Sequence, residues 1–387
     1  MPELQATVDA LTVQALRARG GEAWAAVPEH AIAAWVAEMS FPVAPVVRDA
    51  LADLVDRGEL GYVSAQRRRT YEEAVAGWYG REHGHRIDPD HVHAVGDVIE
   101  AYRKALASLP GGAHVVVPVP SYPPFLFVAA EEGRRVVTIP SSAEDGIDLD
   151  ALDAALAPDA LLVLCNPSNP FGRVSTRDEL ATIAEVVERR GARVLADEIH
   201  APLVLDPQVA HVPYASVNAA AAAHSMTAFS ASKAYNLPGL KSAALITANE
   251  RDQRWWTTLG AIPSHGASIA GIVASTAALD DDGGWLADVR AYLLGNRDLV
   301  HATLREMPAL RATPPAATYL QWVEHVEGST GSPTAALAAR GLVVTDGAAF
   351  GGFDHAFRLN FALPRPVLVR ALAIVAETFS AASAVAR

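Results

Sequence analysis

The stretch Ser230-Ala231-Ser232-Lys233-Ala234-Tyr235-Asn236-Leu237-Pro238-Gly239-Leu240-Lys241 gathers residue types that can do covalent chemistry. Lys233 follows a short apolar run, Met226 to Phe229, that reads as the end of a buried strand. Two hydroxyls precede it, a Pro-Gly turn follows, and a second cation, Lys241, closes the stretch. Burial favours the neutral amine, which is the form that attacks a carbonyl. A neutral amine held against an aldehyde forms a Schiff base. The alternative reading is an exposed loop lysine beside a turn, because most lysines are solvated.

Four other stretches carry chemistry of a matching kind. Gly96, followed by Asp97 and Val98, stands where a strand gives way to a helix, and a helix N-terminus offers free N–H groups to a phosphate. An ordinary strand-to-helix turn is the competing reading. In Pro120-Ser121-Tyr122-Pro123-Pro124 the prolines fix Tyr122, whose ring could stack on a flat heteroaromatic or simply sit in a rigid turn. Asn166-Pro167-Ser168-Asn169-Pro170-Phe171-Gly172-Arg173 has two Asn-Pro steps that favour extended backbone, and the Asn169 amide can donate to an oxygen on a ring. Ala196-Asp197-Glu198-Ile199-His200 puts a carboxylate at a buried strand tip, which is expensive unless it meets a cation. A protonated pyridine nitrogen is such a cation, and His200 would lie near a ring hydroxyl; a structural acid pair on a loop is the other possibility.

The elements that must position these residues read as α/β. Strand-like runs occur at 92–96, 113–117, 135–139, 161–165, 193–196, 227–229 and 243–247. Most are short and apolar without alternation, as strands covered on both faces are. Helices separate several of them; the clearest carries Leu180, Ile183, Ala184 and Val187 on one stripe behind a Thr176–Glu179 capping box. That alternation predicts a mostly parallel, seven-stranded sheet, with ligands at the carboxyl ends of its strands. Earlier in the chain, 46–56 reads as a helix and Gly61-Tyr62 as a loop. Ala219–Ala223 reads as filler or helix. Past about Trp285 a long helix to Met307, alternating runs at 318–323, 341–345 and 357–361, and a final helix from about Arg365 to the end predict a smaller α+β domain. The expected division is a large domain of residues 46–285 and a small one of residues 1–45 with 286–387.

Composition narrows the partners. The 387 residues are 51% hydrophobic and 19% charged, so a large core is expected. A net charge of −13 argues against nucleic acid, because no basic stripe is available for phosphates. The single Cys165 cannot form an intrachain disulfide and reads as a small buried hydrophobe. The N-terminal stretch lacks the apolar segment of a signal peptide and no run is long enough to span a bilayer, so the expectation is a soluble, cytoplasmic protein. His83, His85, His91 and His93 have no metal-ligand spacing and read as a wet loop; no metal is expected.

Taken together, the chain resembles the fold-type I pyridoxal phosphate (PLP) enzymes of the aminotransferase superfamily over nearly its whole length, and within them the MalY/PatB type of cystathionine β-lyase and cysteine-conjugate C–S lyase. The stretches that carry the resemblance are Trp35-Val36-Ala37-Glu38-Met39-Ser40-Phe41-Pro42, Gly61-Tyr62, Asn166 to Arg173, Asp197 to His200, Ser230 to Lys241, Ala317-Thr318-Tyr319-Leu320 and Arg358-Leu359-Asn360. The resemblance implies that Lys233 anchors PLP and shuttles the Cα proton. Asp197 would pair with the pyridinium, Tyr122 would stack on the ring, and Asn169 and His200 would lie near its hydroxyl. Ser230, Ser232, Lys241 and the N–H groups around Gly96, Asp97 and Val98 would hold the phosphate. Tyr62 would reach that phosphate from a neighbouring subunit, implying a homodimer with shared sites. Arg358 would grip the substrate α-carboxylate, with Trp35, Asn169 and Tyr62 also facing the substrate.

Three positions depart from the family pattern. Glu38-Met39-Ser40 stands where Asp-Met-Asp is usual, Asp97 where a small residue is usual, and Lys241 where aminotransferases often carry arginine. Asp97 must therefore point away from a phosphate or meet a cation. The implied reaction is β-elimination of a cysteine S-conjugate to thiol, pyruvate and ammonia, on a substrate other than plain cystathionine. Transamination, or decarboxylation-coupled deamination of a cysteine conjugate, would use the same anchor. A PLP-binding regulator fused to a DNA-binding domain is disfavoured by the charge and by the absence of a basic helix-turn-helix, and a domain without PLP would leave Lys233 unexplained.

Overall fold

Short aliphatic runs dominate the strands of the computed structural model, which describes residues 2–282, 284–326 and 332–380. In chain order the strands are β1 (Ile32–Ala33), β2 (Val92–Val95), β3 (Val115–Val119), β4 (Val136–Ser142), β5 (Gly146–Ile147), β6 (Leu161–Cys165), β7 (Arg193–Asp197), β8 (Ser225–Phe229), β9 (Ala243–Thr247), β10 (Leu310–Arg311), β11 (Leu320–His325), β12 (Leu342–Val343), β13 (Thr345–Asp346) and β14 (Ala356–Asn360). The main sheet has the order β2-β9-β8-β7-β6-β3-β4-β5. It holds the seven strands expected and one more: β5 pairs antiparallel with the end of β4, and at two residues it is too short to show any periodicity.

The pairings β3–β4, β3–β6, β6–β7 and β7–β8 are parallel, whereas β9 runs antiparallel to both β8 and β2. The carboxyl ends of β2, β3, β6, β7 and β8 therefore share one edge of the sheet, and the reversed β9 brings its amino end to that same edge. Five strand-ending loops and the Lys241-Ser242 step thus meet along one line. Successive residues alternate between two cores. Val115, Val117, Leu161, Val163 and Leu195 pack with the helix Val98–Ala107, while Val116, Leu162, Leu164 and Val194 pack with the helix Arg177–Arg190. Both faces are covered, which explains why these strands read as continuous apolar runs. The capping box of the second helix is present, with Thr176 and Glu179 satisfying each other's N–H groups.

The N-terminal segment joins the C-terminal part of the chain: β1 pairs in parallel with β12, and Tyr292 donates to Asp9 at 2.5 Å. Strands β10, β11, β14 and β13 form a second, antiparallel sheet. The long helix runs Trp285–Leu304, 219–224 is helical, and the last helix is Arg365–Ser380; the expected continuation of that helix to the end lies outside the described residues.

Two of the four histidines, His83 and His93, lie outside a wet loop. His93 is buried in β2, stacked on Trp256 at 4.5 Å and hydrogen-bonded to Gln253 at 2.9 Å, and His83 ends the helix Ala65–His83 with its ring 5.1 Å from His211. Among the described residues no three His, Cys, Asp or Glu side chains gather as metal ligands, and no helix is long and apolar enough to cross a membrane.

Candidate active site

The loops at the shared sheet edge enclose a cavity of about 240 Å³. It is lined by Gly96, Asp97, Val98, Tyr122, Asn169, Asp197, His200, Ser232, Lys233, Lys241 and Arg358, which come from five strand ends, the start of β9 and strand β14. A neighbouring cavity of about 260 Å³, between β4 and the helix Arg177–Arg190, shares Asn169 with it but contains neither lysine nor Arg358.

Lys233 reaches into the cavity and donates to the Ala37 carbonyl at 2.9 Å. Burial lowers its ammonium to about 8; Arg358 pushes in the same direction, and Glu38 and Asp197 push back. The amine thus gives up its proton far more readily than a solvated lysine, which makes the neutral, attacking form accessible just above neutral pH. Asp197, at the end of β7, is 2% exposed and among the described residues has no cation in hydrogen-bond contact. Burial pushes its carboxyl up to about 6, against the Ile199 N–H at 3.2 Å and the Cys165 thiol at 3.5 Å, both of which donate to it. Cys165 is therefore more than a small hydrophobe: parallel register sets it opposite Asp197 on the adjacent strand. Its thiol is pushed well above its ordinary value, first by burial and then by that carboxylate, so it is no nucleophile.

Arg358 is buried in β14, directly above Asn169. It donates to Asn169 Oδ1 at 3.0 Å, to the Trp35 carbonyl at 2.8 Å and to Thr345 Oγ1 at 3.2 Å, and lies 5.1 Å from the Phe350 ring centroid. Among the described residues it forms no ion pair, and its Nε has no hydrogen-bond partner. Burial lowers the guanidinium to about 10, which leaves it charged at neutral pH. A buried cation without a counter-ion costs several kcal/mol, so the arrangement calls for an anion in the cavity. His200 is the second orphan: it is 2% exposed and its Nδ1 has no partner. Burial, reinforced by Lys233 and Arg358, lowers it to about 3, so its ring is neutral.

At the other end of the cavity Gly96 is required. A Cβ there would stand 2.9 Å from the Gly266 carbonyl oxygen, closer than real Cβ contacts come. Asp97 caps the helix Val98–Ala107, accepting the Glu100 N–H at 2.8 Å, and its other oxygen takes Lys241 Nζ at 2.9 Å. The expected cation beside Asp97 is thus the very lysine that the resemblance assigns to the phosphate.

Three expected residues do not line this cavity. Ser230 is buried below it, donating to the Ser242 carbonyl at 2.7 Å and accepting the Ser232 N–H at 3.0 Å, so it ties the end of β8 to the start of β9. Ser232 and Ser242 line the cavity instead. Trp35 turns its ring toward the N-terminal helices, where Nε1 donates to the Ala23 carbonyl, and only its own carbonyl serves the site, through Arg358. Tyr62 is 96% exposed, its ring tilted 6.1 Å from that of His265. The two Asn-Pro steps also differ, since the Asn166–Pro167 peptide is cis.

Sequence reading singled out Trp35 to Pro42 but not the contacts that hold this segment as a strap over Lys233. Ala37 accepts from both Lys233 and Tyr319 Oη, the latter at 3.0 Å. Asn360 Nδ2 donates to the carbonyls of Val36 and Glu38, both at 2.6 Å. Asn236, at φ 58°, clamps Met39 from the other side, accepting its N–H at 2.9 Å and donating to its carbonyl at 2.7 Å. Asparagine is the residue that tolerates this left-handed backbone and offers both a donor and an acceptor. Its position three residues after Lys233 was the available signal.

The residues present fit PLP. The cavity holds an amine whose proton is easily lost, a buried carboxylate with no cation in contact among the described residues, an aromatic side chain at Tyr122, two unpartnered nitrogens at His200 and Arg358, and a helix start at Gly96. Comparison with known proteins agrees with this geometry. Residues 36–375 match the family profile of the class I and II aminotransferases. The chain is 34% identical over 359 residues to a cystathionine β-lyase of Corynebacterium glutamicum, spanning 92% of this chain and 95% of that protein. It is 31% identical over 302 residues to the cystathionine β-lyase PatB of Bacillus subtilis, spanning 76% and 77%. Among solved structures, a PLP-dependent β-cystathionase of Corynebacterium diphtheriae superposes with a TM-score of 0.89 at 34% identity, over 96% of this chain and 98% of that one.

Proposed function

The chain belongs to the class I and II aminotransferase family, and from that premise we propose that it is a PLP-dependent C–S β-lyase, converting a cystathionine-like cysteine S-conjugate and water to a thiol, pyruvate and ammonia. The observation that carries the reading is Arg358, a buried guanidinium with no counter-ion among the described residues, facing the cavity that holds Lys233. An amino-acid carboxylate is the anion it fits, taken by the planar fork. The choice of C–S cleavage rests on the cystathionine β-lyases to which this chain is similar over most of its length.

Lys233 would hold the cofactor aldehyde, Asp197 the ring nitrogen, Tyr122 the ring face, and Asn169 with His200 the ring hydroxyl. The amides at Asp97 and Val98, with Ser232 and Lys241, would hold the phosphate. The bound cofactor supplies an electron sink for the pair left when the Cα proton departs. Arg358 fixes the substrate carboxylate, and with it the direction of the Cα–H bond. Lys233, neutral above pH of about 8, takes that proton. The Ala37 carbonyl orients its amine. Asn236 and Asn360 hold the strap that carries the Ala37 carbonyl beside that amine.

The exposed Tyr62, with Leu60 and Ile262 at 63% and 73% exposure, supports a homodimer in which Tyr62 serves the partner's site. A cytoplasmic location is the accompanying proposal, supported by the single, half-buried and unpaired cysteine.

The test is incubation with L-cystathionine and S-alkylcysteines without any keto acid, measuring pyruvate and free thiol. Equimolar release of both is expected. Turnover only after a keto acid is added would overturn elimination in favour of transamination.

A further inference from the structure

The phosphate end of the cavity contains its own anion. Three basic side chains line the cavity, and two are engaged elsewhere: Lys233 with the Ala37 carbonyl and Arg358 with Asn169. Lys241 is the cation beside the start of the helix Val98–Ala107, and it is bound by the carboxylate of the helix's own N-cap, Asp97. The backbone leaves little freedom to avoid this. Lys241 sits at φ 54° with its carbonyl accepting the Ser268 N–H at 2.9 Å, and Gly96 is pressed against Gly266. Asp97 is also fixed, since one oxygen takes the Glu100 N–H and the other the ammonium.

Resting on the PLP reading above, we propose that Asp97 is a built-in competitor of the cofactor phosphate. Its ion pair with Lys241 must be shared or broken when phosphate enters, so the seat grips the cofactor more loosely than a seat without that carboxylate would. A phosphate monoester carries between one and two negative charges at neutral pH, and like charges at contact distance repel. Asp97 stays ionised there: burial works to raise its carboxyl, but the Lys241 ammonium and the Glu100 N–H outweigh it and hold it below the usual range. Lys241 and Asp97 side chains are 58% and 42% exposed, so water screens the repulsion and the expected effect is moderate.

The experiment is a titration of the cofactor-free protein with PLP, followed by cofactor absorbance, in wild type, Asp97→Asn, Lys241→Gln and the double variant. Asparagine can keep the helix cap while removing the charge. Asp97→Asn is expected to bind PLP about tenfold more tightly, about 1.4 kcal/mol, with no change toward pyridoxal, which lacks the phosphate. Lys241→Gln should weaken PLP binding more in the Asp97→Asn background than in wild type, because there the ammonium is free to serve the phosphate. Unchanged or weaker PLP binding by Asp97→Asn would overturn the inference, showing that the carboxylate merely aims Lys241. Failure of wild type to bind PLP at all would overturn both this inference and the PLP reading.

Discussion

Replacing Asp197 by asparagine should stabilise the cofactor-free protein while weakening its hold on the cofactor. The carboxyl is 2% exposed and lies between two weak donors, the Ile199 N–H and the Cys165 thiol, with no cation in contact among the described residues. Burial raises it to about 6, about two units above an ordinary aspartate, and each unit is worth about 1.4 kcal/mol. The folded state therefore binds the proton more tightly than the unfolded chain. Stability falls as pH rises through the window from about 4 to about 6, and the full penalty of about 3 kcal/mol applies above it. An uncharged isostere escapes that penalty. For a chain of 387 residues the unfolding entropy is about 0.8 kcal/mol/K, so the gain is about 4 °C in Tm at pH 7. At pH 5 the carboxyl is mostly protonated in the folded state and the gain should shrink to roughly half. Thermal unfolding of the cofactor-free forms at the two pH values measures this. With PLP added the order should reverse, because the pyridinium is the missing cation and asparagine cannot match its charge. A cofactor-free variant less stable than wild type at pH 7, or a gain independent of pH, would refute the argument that an uncompensated charge waits there for a ring nitrogen.

Arg358→Lys keeps the charge but loses the fork. Losing one of two charge-assisted hydrogen bonds to the carboxylate, about 1.5–3 kcal/mol, should lower kcat/KM by about tenfold to a hundredfold, and steady-state kinetics with cofactor absorbance as the control will check it. Asn236→Ala removes both clamps on Met39 and should loosen the strap, reading out as faster hydrogen exchange at residues 36–40 and a lower kcat. The rate at which the cofactor-free protein takes up PLP should rise about tenfold per pH unit below about 8 and level off above it, because only the neutral Lys233 amine reacts; stopped-flow absorbance from pH 6 to 9 measures it, and a flat profile would exclude the lysine's titration as the control.

Much of this site was legible in the chain because its parts are local. Lys233, Asp197, Asn169, Tyr122 and Gly96 each stand just past a short apolar run, and runs of that kind form strands buried on both faces whose carboxyl ends meet at one edge. The helix cap at Thr176 likewise depends on a residue three positions away. What stayed hidden depends on which distant segments become neighbours. The register of β6 on β7 turns Cys165 from filler into a donor to Asp197, and the reversal of β9 brings Lys241 across 144 positions to Asp97. The resemblance gave Ser230 a place at the phosphate, and in the fold its hydroxyl donates to the carbonyl of Ser242 on the approach to β9. The strap over Lys233 is held by Asn236 and Asn360, at separations of 197 and more positions. Residue type and local periodicity determine which groups can do chemistry and at which strand ends they stand. Strand order and chain direction decide which of those groups share a hydrogen bond, because a contact of a few ångströms between distant residues exists only once the sheet and its covering layers have packed.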